Sequence, residues 1–132
     1  MKRVLIDTNI ILDIALQRKP FVDAADNIFA KIEKGEINGF VTASSISDIF
    51  YVLRKNGGRE KAILFIRELV DILDVLNVTK KNIIEALNSE FKDFEDAIQY
   101  SVADMNCMDI ILTRNKTDFK LSTIKVCCPD EL

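Results

Sequence analysis

Short apolar runs alternate along the chain with longer stretches in which apolar residues recur every three or four positions. Val4-Leu5-Ile6, set between Met1-Lys2-Arg3 and Asp7-Thr8-Asn9, reads as a short buried strand. A helix capped by Thr8 or Asn9 is expected to carry Ile10, Ile11 and Ile14. Lys19-Pro20 breaks it, with Pro20 at the first position of the next helix. Phe21, Ala24, Ala25, Ile28, Phe29 and Ile32 keep helical spacing up to a stop at Gly35, and Gly39 to Thr42 reads as a second strand. Ser44 or Ser45 then opens a helix bearing Ile46, Ile49, Phe50 and Leu53, which ends at Asn56-Gly57-Gly58. A fourth helix starts near Arg59, and Asp74 to Val78 forms a strand. Thr79 caps a further helix, another runs from about Phe94 to Met105, and Asp109 to Thr113 and Ile124 to Cys127 close the series as strands.

Short apolar strands separated by helical patterns predict a parallel sheet of about five strands with helices on both faces, a three-layer α/β/α arrangement. The 132 residues fit one domain, and 48% apolar with 30% charged residues is an ordinary globular balance. No apolar run reaches membrane-spanning length, and the N-terminus is too soon charged for a signal peptide, so a cytoplasmic protein is expected.

In an open parallel sheet, ligands gather outside the carboxyl ends of the strands. Asp7 stands at such an end, where a carboxylate has few purely structural tasks. Asp48 follows the second strand in the first turn of its helix, Asp93 and Asp96 begin the helix before the fourth strand, and Asp118 lies in the loop after it. Simpler readings exist for each. Ser45-Ile46-Ser47-Asp48 has capping-box spacing, Asp93 can cap a helix with Asp96 three residues on, and Asp118 beside Asn115 suits a polar turn.

Composition narrows the chemistry. The chain has no histidine, which excludes Ser-His-Asp and Cys-His catalytic arrangements. Its three cysteines, Cys107, Cys127 and Cys128, lack zinc-ligand spacing and read as idle or packed thiols. Carboxylates that converge repel one another, and hard divalent cations with oxygen ligands relieve that repulsion. Two such ions about 3.5–4 Å apart can activate water and stabilise the leaving oxygen of a phosphodiester. A net charge of −3 argues against a protein that coats nucleic acid through a broad basic surface, but not against a nuclease with a cation-neutralised site.

Asp7-Thr8-Asn9 after a strand, Phe94-Glu95-Asp96-Ala97 opening a helix, and Thr113-Arg114-Asn115 with Asp118-Phe119 after another strand together resemble the PIN domain family, and more narrowly the small VapC-type toxins. The resemblance runs from Arg3 to about Val126. It implies strand order 3-2-1-4-5 and an endoribonuclease dependent on Mg²⁺ or Mn²⁺. It places the family's four acids at Asp7, Asp48, Asp96 and Asp118, with Asp7 and Asp96 as principal metal ligands and Asp93 as an additional acid. Thr8, Asn9 and Asn115 match supporting polar residues. The second acid is ordinarily Glu, so Asp48 is one methylene short; Glu95, the nearest alternative, is expected to point a different way on its helix from Asp96 and not to substitute. The resemblance further implies a cognate antitoxin and a homodimer as partners.

Arg114 and Lys116, and Arg54, Lys55 and Arg59 around the Gly57-Gly58 turn, are candidate phosphate contacts, although charge runs are commonly just solvated faces. Two other functions compete. A PIN-like module that binds RNA or protein without cutting is consistent with Asp48 and the acidic balance. A phosphoacceptor receiver domain would need an acidic pair after the first strand and an acceptor Asp ending the third; Thr8-Asn9 and Asn77-Val78-Thr79 stand there instead.

Overall fold

A computed structural model describes all 132 residues. Five parallel strands, β1 (Lys2–Ile6), β2 (Ile37–Thr42), β3 (Asp74–Leu76), β4 (Ile110–Leu112) and β5 (Lys125–Cys127), form one sheet in the order β3-β2-β1-β4-β5. This is the expected order. Helices α1 (Thr8–Ala15) and α2 (Val22–Glu33) link β1 to β2, α3 (Ala43–Gly57) and α4 (Arg59–Ile72) link β2 to β3, and α5 (Lys80–Asn88) and α6 (Phe94–Met105) link β3 to β4. No helix is long and apolar enough to cross a membrane.

The pleat of β1 sorts the layers. Val4 and Ile6 face a core shared with Ile10 and Ile11 of α1, Ile28 of α2, Ile49 of α3 and Leu69 of α4. Leu5 faces the opposite side with Phe40, Ile111, Ala103 of α6 and Phe119. Central parallel strands are covered on both faces, which is why Val4-Leu5-Ile6 and Ile110-Ile111-Leu112 are unbroken apolar runs. Gly39 lets the first layer close: a Cβ there would stand 2.6 Å from both Ile32 Cδ1 and Leu73 Cδ2.

Most helix boundaries follow local signals. Thr79 and Asn82 make a reciprocal capping box on α5, Asp93 Oδ1 accepts from the Asp96 backbone N–H at the start of α6, and Gly58 ends α3 at φ +88°. Three boundaries differ from expectation. Asp7, not Thr8 or Asn9, precedes α1, and its side chain makes no cap bond. Pro20 lies in the turn before α2, which begins at Val22. Thr42 caps α3, its Oγ1 accepting from Ser45 N–H at 3.2 Å, so the helix starts earlier than Ser44 or Ser45 and Asp48 sits in its second turn. The capping-box reading of Asp48 is thereby removed.

Sheet order reverses at β1, with β2 on one side and β4 on the other. The crevice at the carboxyl ends of these two strands is where such a sheet binds ligands. Asp7 and Thr113, which follow β1 and β4, lie at its floor.

Candidate active site

Asp7 is the floor of the site. Only 6% exposed, it accepts hydrogen bonds from Gln99 Nε2 (3.0 Å, on Oδ1) and from Thr113 Oγ1 (2.8 Å, on Oδ2). Burial pushes its pKa above the usual carboxylate range, opposed by those two donors and the Thr8 backbone N–H, with the Asp118 charge adding to the rise. Above it opens a cleft of about 290 Å³ lined by Asp48, Asp93, Glu95, Asp96 and Asp118, with Thr8, Asn9 and Gln99. Five acids expected from the sequence therefore face one space, although residues 7 and 118 are far apart along the chain.

Their charges fall into two groups around Asp7. Asp96 is held up to about 7, first by partial burial and then by the negative charges of Asp93, Asp7 and Asp118. Glu95 is also raised to about 7, by partial burial and by the facing Asp48 carboxylate, against a lowering contact from Thr8. Glu95 points a different way from Asp96, as expected, yet still lines the cleft, beside Asp48. The start of α6 turns it toward Asp48 and Thr8, whose Oγ1 lies 3.3 Å from Glu95 Oε1 and 2.8 Å from Ser45 Oγ; the single hydroxyl proton serves one of them at a time. Ser45 in turn lies 2.9 Å from Thr42 Oγ1, so the cap of α3 also braces the cleft wall.

From the sequence alone Gln99 has no role, Ser45 is only a helix start and Glu95 only a poor substitute for the missing glutamate. Gln99 had a signal: it follows Asp96 by three residues and Glu95 by four, on the same face of a helix. Its Oε1 is buried without a hydrogen-bond partner while its Nε2 holds Asp7.

The candidate cations are placed otherwise. Arg114 forks onto the fully buried carboxylate of Asp13, with Nε at 2.9 Å and an Nη at 3.2 Å, and its guanidinium lies 4.1 Å from the centroid of the Phe21 ring. Lys116 pairs with Glu131 at 2.9 Å. Asn115, Arg54, Lys55 and Arg59 are exposed, and none lines the cleft. Asn115 instead donates its backbone N–H to Thr113 Oγ1 at 3.2 Å.

An all-oxygen, multiply acidic donor set suits a hard divalent ion. No three of these carboxylates stand close enough together to form a ready-made ligand set for one ion. The raised carboxyls of Glu95 and Asp96 mark a place where a cation would relieve like-charge repulsion.

Residues 3–117 match the family profile described as a PIN domain. The chain belongs to the PIN-domain family. This PIN domain is 27% identical over 121 residues to Ribonuclease VapC1 of Aquifex aeolicus (strain VF5), covering 88% of this chain and 83% of that one. Its fold is similar to that of a toxin–antitoxin complex from Klebsiella pneumoniae, with a TM-score of 0.71, 20% identity and coverage of 96% and 97%. VapC20 of Mycobacterium tuberculosis, described as a sarcin-ricin loop cleaving toxin, is similar at a TM-score of 0.66, 14% identity and coverage of 82% and 86%. Two of these three relatives are VapC proteins.

The raised carboxyls set a pH dependence. A carboxyl whose folded-state pKa lies near 7 binds its proton more tightly in the folded chain than in the unfolded one. The stabilisation is full below about pH 4, where both states are protonated, and is lost as pH rises through about 7. In EDTA, the melting temperature should therefore fall between pH 5 and pH 7.5, and Asp96→Asn should flatten that fall. Thermal denaturation across a pH series checks this; a metal-free Tm that rises over the interval contradicts it.

Proposed function

We propose that this PIN domain is a divalent-metal-dependent endoribonuclease and the toxin member of a toxin–antitoxin pair. The observation that carries the reading is the cleft in which Asp7, Asp48, Asp93, Glu95, Asp96 and Asp118 face one another at the switch point of the sheet. Asp7 and Asp96 are the principal ligands for Mg²⁺ or Mn²⁺, with Asp118 and Asp93 on one side and Asp48 with Glu95 on the other. Glu95 offers the reach that Asp48 lacks. When bound, such an ion supplies charge compensation for the phosphodiester and lowers the pKa of water. The chain's own residues do the rest. Gln99 and Thr113 hold both oxygens of Asp7 in one orientation, Thr8 and Ser45 steady the Asp48–Glu95 wall, and the open side admits RNA.

Ribonuclease VapC1 and the toxin–antitoxin complexes among the relatives support the RNA substrate and an antitoxin partner. An open groove of about 510 Å³, with the partly exposed Ile14, Phe65 and Ile72 set among Asp26, Glu33, Lys34 and Glu68, is a candidate seat for an antitoxin helix with an apolar stripe and charged flanks. A homodimer and a cytoplasmic location belong to the same reading, and a single domain suffices for it.

The test is cleavage of mixed structured RNA in Mg²⁺, in Mn²⁺ and in EDTA by the purified, antitoxin-free protein. Cutting is expected with the ions and not with EDTA. A folded protein that binds Mn²⁺ but cuts no RNA would instead make it a non-cleaving binding module, a reading favoured by the short side chain of Asp48.

A further inference from the structure

An RNA strand running through the cleft carries phosphates on either side of the bond to be cut, yet none of the basic residues expected to meet them, Arg114, Lys116, Arg54, Lys55 and Arg59, lines the cleft. Arg114 is spent on Asp13 and Lys116 on Glu131. A second depression, of about 530 Å³, adjoins the acidic cleft and shares Asp93, Asp96 and Asp118 with it as a common wall. Among the residues lining the two spaces, the cations are Lys92 and Lys120.

We propose that this depression is a second subsite of one continuous groove, in which the ammonium groups of Lys92 and Lys120 hold the backbone phosphates of single-stranded RNA flanking the bond to be cut. The inference rests on the ribonuclease reading and adds to it where the strand runs.

Three features carry it. First, both lysines are exposed and neither enters any of the chain's three ion pairs, which involve Arg18, Arg114 and Lys116, although Glu90, Asp93, Asp96 and Asp118 line the same depression. Second, the two loops that bear them are fixed relative to each other. Phe91, next to Lys92, meets Phe119, next to Lys120, edge to face at 6.2 Å, and Phe91 also stacks on Tyr100 of α6 at 5.2 Å. The same helix carries Asp96, so packing sets the spacing between the backbone positions of the lysines and that acid. Third, the depression has Thr117 and Leu121 on its other wall, giving a hydroxyl and an apolar surface beside the charges. A lone strand with splayed bases uses such a groove, whereas a duplex hides its bases.

The experiment measures binding of an end-labelled, mixed-sequence single-stranded oligoribonucleotide by fluorescence anisotropy over a salt series. It uses the full chain carrying Asp96→Asn, which blocks cutting and removes one repelling charge. Each phosphate contact on a single strand contributes about 0.7 to the slope of log K against log salt, so Lys92→Ala/Lys120→Ala should lower the slope by about 1.4 and weaken binding. Lys92→Arg/Lys120→Arg should restore it. The charge-matched control Lys80→Ala/Lys125→Ala, on surfaces outside the groove, should leave the slope unchanged. An unchanged slope in the Lys92/Lys120 variant, an equal loss in the control, or no measurable binding by the lysine-intact protein overturns the subsite. In the catalytically intact chain the alanine pair should raise KM with kcat retained. Failure of the ribonuclease reading shows separately, as absence of metal-dependent cutting with the lysine-dependent slope still present.

Discussion

Asp7→Asn is expected to abolish RNA cleavage while making the metal-free protein more stable. The loss follows from removing the ligand at the floor of the cleft; several kcal/mol of transition-state stabilisation corresponds to a fall of about 10³-fold or more. The gain follows from burial. Asp7 is almost fully enclosed, and enclosure raises the cost of its charge. An amide in its place carries no charge and is nearly the same size. Its oxygen can accept from Thr113, and its NH₂ group can donate to Gln99 once that side chain turns over. The turned Gln99 would then present the Oε1 that now has no partner. A functional carboxylate held against its own desolvation is a place where stability and activity oppose each other. Cleavage assays and thermal melts in EDTA at pH 7.5 test both halves together. Retained cleavage would remove Asp7 from the mechanism. A large drop in Tm would mean the carboxylate is structural.

Arg114→Ala should unfold the protein more readily without acting through RNA. Asp13 is fully buried on α1, and Arg114 supplies its two close hydrogen bonds; the remaining partner, Arg18, stands at 3.6 Å. Removing one side of a buried pair typically costs about 3–5 kcal/mol, because the charge left behind is uncompensated. For a chain of this size that lowers Tm by roughly 10–20 °C. The Phe21 ring would also lose the guanidinium lying over it. Removing both charges together, in Asp13→Ala/Arg114→Ala, should cost less than the sum of the single changes. Should Arg114→Ala leave Tm unchanged and weaken RNA binding, the phosphate role expected from the sequence would stand instead.

The contrast between Lys116 and Arg114 shows why counting ion pairs misleads. Lys116 and Glu131 are both nearly half exposed, and such a pair contributes about 0–1 kcal/mol. Arg114 is mostly covered and its partner wholly so. The same kind of bond, formed out of water, decides whether the loop after β4 stays against α1.

Local periodicity was enough to determine the elements. Alternation between unbroken apolar runs and helical spacing depends on near neighbours, and central parallel strands covered on both faces have little choice but to be apolar throughout. Caps such as Thr79 with Asn82 and the glycine at residue 58 act within a few residues and are readable for the same reason. The resemblance in Asp7-Thr8-Asn9, Asp96 and Asp118 also marked five of the acids that the fold brings to one cleft.

Partnership, by contrast, belonged to the tertiary structure. Whether Arg114 meets a phosphate or a buried Asp13, whether Glu95 turns toward Asp48, and which lysines stand beside the cleft depend on contacts between residues far apart in the chain, 101 positions for Arg114 and Asp13. Long side chains have no periodicity that reveals their ends. Their choice is made by burial and by the field of groups that only folding assembles.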